Sequence, residues 1–188
     1  MHQAEAALVE YAISRLAVVS GELVLAPAHR VGDGFLGEFD DSSRVLVVGC
    51  SNADWSAILA HELGHVEQLI NGTFSYVGEA QDVFEAHLNG KAVPSRKLRR
   101  ATRTLQKMEL DAERHAVRLI DLFGLPVDRL MYVKAANAYV WSFEWARRHG
   151  TWPYSAWPLC PHKLITERDL CRLSPELESA MGSKNPFK

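Results

Sequence analysis

Histidine, glutamate and histidine occupy positions 61, 62 and 65 in the segment His61-Glu62-Leu63-Gly64-His65. On an α-helix, residues four apart lie one above the other, so both imidazoles can reach one divalent ion while Glu62 projects beside them. Imidazole suits Zn²⁺, and a carboxylate next to such an ion can take a proton from an attacking water. The chemistry implied is metal-assisted hydrolysis, with His61 and His65 as Zn²⁺ ligands and Glu62 as the general base.

A helix has to carry this pattern. Ser51-Asn52-Ala53-Asp54 supplies N-cap side chains ahead of Trp55, and Asn71-Gly72 supplies a stop after Ile70, which predicts a helix of about 16 residues. Its apolar residues, among them Trp55, Leu59, Leu63, Val66 and Ile70, spread round most of the circumference and predict packing on several sides. Two histidines and a glutamate in such a helix need partners, because an unpaired buried polar group costs about 1 to 3 kcal/mol. A metal ion would serve all three.

A catalytic zinc takes three protein ligands and keeps one position open. A third ligand six residues after His65 would require a histidine where the chain has Asn71, so the donor must come from farther along. Glu109 is the best candidate on periodicity. At 100° per residue, Leu98, Thr102, Leu105, Glu109, Ala112, Glu113, Ala116 and Ile120 share one helical face, and arginines and lysines from Arg96 to Arg118 fall on the opposite one. Two glutamates therefore lie in an apolar stripe, where a carboxylate needs a cation or strong donors to stay ionised. Glu109 would ligate the metal, and Glu113, one turn later, would hold the non-ligating nitrogen of a bound imidazole. Other arrangements stay open: Glu113 as the ligand, donors from Glu79, Glu85 or His87, or both glutamates paired with arginines. His115 lies off this face and reads as a packing residue.

These residues resemble the gluzincin metallopeptidases, and most closely the ImmA/IrrE-like family. His61-Glu62-x-x-His65 after a small sheet, then Glu109-x-x-Ala112-Glu113-x-x-Ala116 with Leu119 and Leu125-Pro126 downstream, is similar to that family over roughly residues 20 to 126. Glu113 stands where the family has Asn or Asp, His115 where it has an aromatic, and a related gluzincin branch fits equally. The resemblance implies zinc on His61, His65 and Glu109, with Glu62 as the base. It also implies a specific protein or peptide substrate, of the regulatory kind cleaved by members carried on phages and mobile elements, and an open strand edge, Val45 to Val48 or Leu36 to Phe39, against which that substrate extends. The alternative is a metal-bound regulatory or binding protein with a zincin scaffold and little turnover. For a donor facing the oxyanion, the candidates are Tyr76, Tyr132, Tyr139, His149 and His162.

The surrounding elements predict an α+β fold: a small antiparallel or mixed sheet on a helical zincin core, with a helical C-terminal region. A helix is expected over Ala4 to Val19, then three short strands (Leu23 to Leu25, Phe35 to Phe39, Val45 to Val48) whose turn-rich connections, Gly32-Asp33-Gly34 and Asp40-Asp41-Ser42-Ser43, predict a meander. Helices are expected from Ser95 to about Phe123, from Val127 to about Arg148, and over Thr166 to Leu173, with Gly124-Leu125-Pro126 as a break. Trp141, Trp145, Trp152 and Trp157 fall in the C-terminal third, where core packing is expected over a recognition surface.

At 188 residues and 47% hydrophobic, the chain supports one sizeable core, so 1–188 is expected to be a single domain, with 1–125 as zincin core and 126–188 as the Trp- and Pro-rich region. A net charge of −2 gives no global pull toward nucleic acid or anionic lipid, and the arginine-rich face reads as a solvated helix surface. Glu5, Glu10 and Arg15 interrupt the N-terminal apolar residues, and no apolar stretch approaches about 18 residues, so neither a signal peptide nor a membrane span is expected. Cys50, Cys160 and Cys171 are odd in number and lack paired zinc-site spacing. Reduced thiols and a cytoplasmic location follow as expectations.

Overall fold

The computed structural model describes residues 2–31, 35–73, 77–153 and 160–182. The chain forms two compact units, one from the chain up to Thr73 with Asp111–Arg129, the other from Phe74–Leu110 with the chain from Leu130 onward. The architecture is α+β, with six helices and one three-stranded mixed sheet among the described residues.

The first unit opens with α1, Gln3–Val18, which buries Leu8, Ala12 and Leu16 along one stripe. The His2 N–H donates to the Glu5 carboxylate over 2.7 Å, closing the first turn. Three strands follow: β1 (Glu22–Ala26), β2 (Gly37–Asp40) and β3 (Val45–Gly49). Their spatial order is β1-β3-β2, with β1 parallel to β3 and β2 antiparallel to it. This corrects the expected meander. β3 is the most apolar strand, with Leu46 and Val48 fully buried, and a strand apolar on both faces lowers its free energy by taking the centre. The turn from β2 to β3 holds Asp40, whose carboxylate accepts from the Ser42 N–H and the Ser42 and Ser43 hydroxyls. Those bonds hold the Asp40 carboxyl well below the usual carboxylate range. Gly32-Asp33-Gly34 lies outside the described residues.

Helix α2, Trp55–Ile70, matches the expected boundaries. It buries Leu59, Ala60, Leu63 and Val66 completely and packs on α1, β2 and β3. The Arg15 guanidinium of α1 forks onto the Glu67 carboxylate of α2, with Nη2 at 2.8 Å from Oε2. Helix α4 covers Ser95–Phe123, as its long apolar stripe predicts. All eight residues placed on that stripe are buried, Glu109 and Glu113 among them.

The second unit contains α3 (Val77–Leu88), the first part of α4, α5 (Arg129–His149) and α6 (Pro175–Gly182). Val77, Ala80, Val83 and Phe84 of α3 pack with Leu98, Ala101 and Leu105 of α4 and Phe143 of α5. A second cluster joins Leu110, Val140, Trp141 and Trp145 to Cys160, Ile165, Leu170, Leu177 and Met181. The indole N–H of Trp141 donates to the Asp169 carbonyl and that of Trp145 to the Glu178 carbonyl, so both are core residues satisfied at their polar ends. Trp152 is half exposed against Phe84 and Phe143, and Trp157 lies outside the described residues.

Thr166 to Leu173 is not a helix. The Asp169 carboxylate accepts from the Thr166 N–H and hydroxyl, and Gln106 Nε2 and Trp141 Nε1 take the carbonyls of Leu170 and Asp169 that a helix would use. The last helix, α6, forms instead after Ser174, whose hydroxyl accepts from the Leu177 N–H. No described helix is long and apolar enough to cross a membrane.

Candidate metal centre

His61 and His65 lie mid-way along α2 and the buried Glu109 at the middle of α4. One ligand atom from each falls within 4.8 Å of the others, the only such group of His, Cys, Asp or Glu among the described residues. This trio can hold a metal ion. The two Nε2 atoms face each other 3.3 Å apart, and two ligands at about 2.05 Å from a tetrahedral ion would stand about 3.3 Å apart.

The far sides of both rings face polar side chains. His65 Nδ1 lies 3.0 Å from the Gln68 Oε1, and the Gln68 amide nitrogen donates to the Asp111 carboxylate at 3.2 Å. An ionised carboxylate only accepts, so Asp111 turns the NH₂ of Gln68 toward itself and its carbonyl toward His65. A carbonyl also only accepts, so the His65 proton sits on Nδ1 and the Nε2 lone pair is free to ligate. On the other ring, His61 Nδ1 lies 3.2 Å from the Glu113 Oε1, within ion-pair distance. With its proton on Nδ1, His65 turns the Nε2 lone pair toward His61 Nε2, 3.3 Å away. A cation between the two nitrogens would be held by both rings.

Glu62 is buried, one residue on from His61, beside strand β2. A Cβ built on Gly37 would lie 2.5 Å from Ile58 Cγ2 and 3.3 Å from Glu62 Cγ. The absence of a side chain at Gly37 is what brings β2 this close to α2.

Glu113 thus lies beside the His61 ring, where its position on α4 was expected to bring it, whereas Gln68 and Asp111 were not foreseen. The signal for Gln68 was present, since position i+3 on a helix neighbours His65. Asp111 carried none, because it lies off the apolar stripe of α4 and its partner is on another helix. His115 lines, with Gly64, Gln68 and Asp111, a cavity of about 310 Å³. Burial lowers its pKa.

None of the alternative donors Glu79, Glu85 and His87 belongs to a group able to hold a metal among the described residues. Glu79 is exposed and pairs with Lys97, and Glu85 accepts from Gln81. His149 stacks on Trp145 and lies 3.2 Å from Glu178, Tyr139 packs on Phe143, and His162 is exposed. Tyr132 is half-buried on α5, and Tyr76 lies outside the described residues. Cys160 is buried and Cys171 exposed, and neither belongs to a group able to hold a metal.

No family model, no curated protein and no solved structure matches this chain. The candidate centre therefore stands on its own geometry.

Proposed function

We propose that this protein is a zinc-dependent endopeptidase of gluzincin type, related to the ImmA/IrrE-like enzymes or to a neighbouring branch, acting on a protein or peptide substrate. The carrying observation is the pair of Nε2 atoms 3.3 Å apart, with Gln68 behind the His65 Nδ1, Glu113 3.2 Å from the His61 Nδ1, and the Glu109 carboxylate alongside. Two neutral imidazoles and one carboxylate are the ligand set that suits zinc with an open fourth position.

Zinc held there would supply Lewis acidity to a scissile carbonyl and acidify a water. The residues do the rest. His61, His65 and Glu109 hold the ion, Glu113 and Gln68 keep the rings oriented, and Glu62 takes the proton from the attacking water and passes it to the departing amine nitrogen. β2 supports an extended peptide as substrate: it ends the sheet and runs beside Glu62, so a chain added to its outer edge would pass the base. The other expected edge, β3, is central and paired on both sides.

The test compares the purified protein with Glu62→Gln for zinc content and for cleavage of a mixed peptide library. Both should carry one zinc per chain, and the variant should lose cleavage by about a thousandfold, the scale of a general base. Zinc in both with no cleavage by either would favour a binding protein on a zincin scaffold. Absence of zinc from the wild type would end the proposal.

A further inference from the structure

The first half of α4 carries a charge pattern that the metal centre does not use. Between Ser95 and Met108 there are six cations, Arg96, Lys97, Arg99, Arg100, Arg103 and Lys107, and no Asp or Glu. In a chain of net charge −2, this is a local concentration of one sign. All six side chains are exposed. Lys97 and Lys107 pair with Glu79 and Glu167, whereas Arg96, Arg99, Arg100 and Arg103 have no carboxylate partner among the described residues. A solvated helix face in a mildly acidic protein ordinarily interleaves both signs, and four uncompensated arginines repel one another.

Arg96, Arg100, Arg103 and Lys107 follow the i, i+4, i+7, i+11 spacing of a single stripe, so the charges recur at every turn over about 16 Å. That length spans about five phosphates of one DNA strand at about 3.4 Å each. The stripe offers no exposed large apolar side chain; Leu98, Ala101 and Leu105 of the same segment are buried. A protein partner would lack the apolar anchors that carry most interface energy, and a polyanion requires none. The face also has no aromatic on which an unpaired base could stack, and it is too short for the roughly 16 base pairs that double-stranded RNA recognition spans.

We infer that this face docks on the phosphate backbone of double-stranded DNA, without reading its sequence. Guanidinium groups bind phosphate oxygens in a bidentate fork, and each contact releases counterions from the duplex. Four such contacts predict that log K falls with log salt at a slope of about −3.6, and that affinity depends little on sequence. The sequence alone gave this face no role; the absence of partners for its arginines is the structural addition.

The experiment is fluorescence anisotropy with a labelled 20-base-pair duplex of arbitrary sequence, over a salt series, for the wild type and for Arg96→Gln/Arg100→Gln/Arg103→Gln. Dissociation constants should be roughly 10 µM near 50 mM salt, and the triple variant should bind at least about tenfold more weakly with a slope near −1. Thermal unfolding and zinc content should stay unchanged in the variant, since the three side chains are exposed and belong to no group able to hold a metal. Should the triple variant not fold, Arg103→Gln alone must lower the slope by about one. No wild-type binding near 50 mM salt, equal binding by wild type and triple variant, or tighter binding of poly-glutamate than of DNA would each overturn the inference, the last in favour of an acidic protein. Because zinc and peptide cleavage are read separately, failure here leaves the peptidase proposal standing, and the converse.

Discussion

Gly64 of α2 meets Ala112 of α4 backbone to backbone: a Cβ built on Gly64 would lie 2.6 Å from the Ala112 Cα. Only hydrogen fits at that point, and the crossing sits next in sequence to both His65 and Glu113. It therefore sets how far the Glu113 carboxylate stands from the His61 ring. Gly64→Ala should destabilise the fold by about 1 to 3 kcal/mol through overpacking and weaken zinc binding, read by urea unfolding and by zinc titration against a chelator. Zinc affinity equal to wild type would show that the crossing does not position the ligands.

The chain from Asp111 through Gln68 to His65 fixes the tautomer of the His65 ring. Gln68→Leu keeps the volume and removes the acceptor for His65 Nδ1. Zinc affinity should fall about 10- to 100-fold, as for other supporting groups behind metal ligands. Nitrogen chemical shifts of the His65 ring should move from a single Nδ1–H tautomer to a mixture. A variant with wild-type shifts would remove Gln68 from the account.

Glu144 tests the second unit. Burial pushes its carboxyl up, but hydrogen bonds from Arg147 at 2.8 Å and Arg148 at 2.9 Å outweigh that and hold it below the usual range. A carboxyl whose folded pKa is depressed stabilises the fold above its unfolded value of about 4.3, and that contribution disappears as pH falls through the folded pKa. Glu144→Gln should therefore cost about 2 kcal/mol near pH 7, with the difference from wild type closing below about pH 4 in urea titrations. A difference that persisted at low pH would assign the loss to packing instead of charge.

The three thiols should differ in reactivity. Cys160 is buried and its thiol is pushed up to about 12, burial raises that of Cys50, and Cys171 is exposed. Thiolate is the reacting form, so at about pH 8 a disulfide reagent should label Cys171 first and Cys160 only on unfolding. Peptide mapping after brief labelling checks the order.

Much of the candidate metal centre was legible in the sequence because its parts are local. His61, Glu62 and His65 lie within one helix whose caps stand at either end of a 16-residue apolar pattern. Glu109 and Glu113 were readable because α4 is long, and 29 residues let a 3.6-residue period place two carboxylates in an apolar stripe without ambiguity. Trp141 and Trp145 announced a core by the same logic. Short elements were less legible. The buried residues of α3 have helical spacing, but its many polar residues concealed it, and Asp169 with its neighbours looked helical until side chains from α4 and α5 took its backbone carbonyls.

Residue type and spacing alone determined that this chain has a helix able to present two imidazoles and a base, and a second able to present carboxylates. Only the tertiary structure decided that β3 lies between β1 and β2, that Gly64 lets α2 and α4 touch, and that Gln68 and Asp111 stand behind His65. The reason is physical. Periodicity records which face of an element avoids water, because burial acts on each residue in turn. Strand order, helix separation and the direction of a proton on a ring depend on pairs of residues far apart in the chain, and no local pattern encodes a pair.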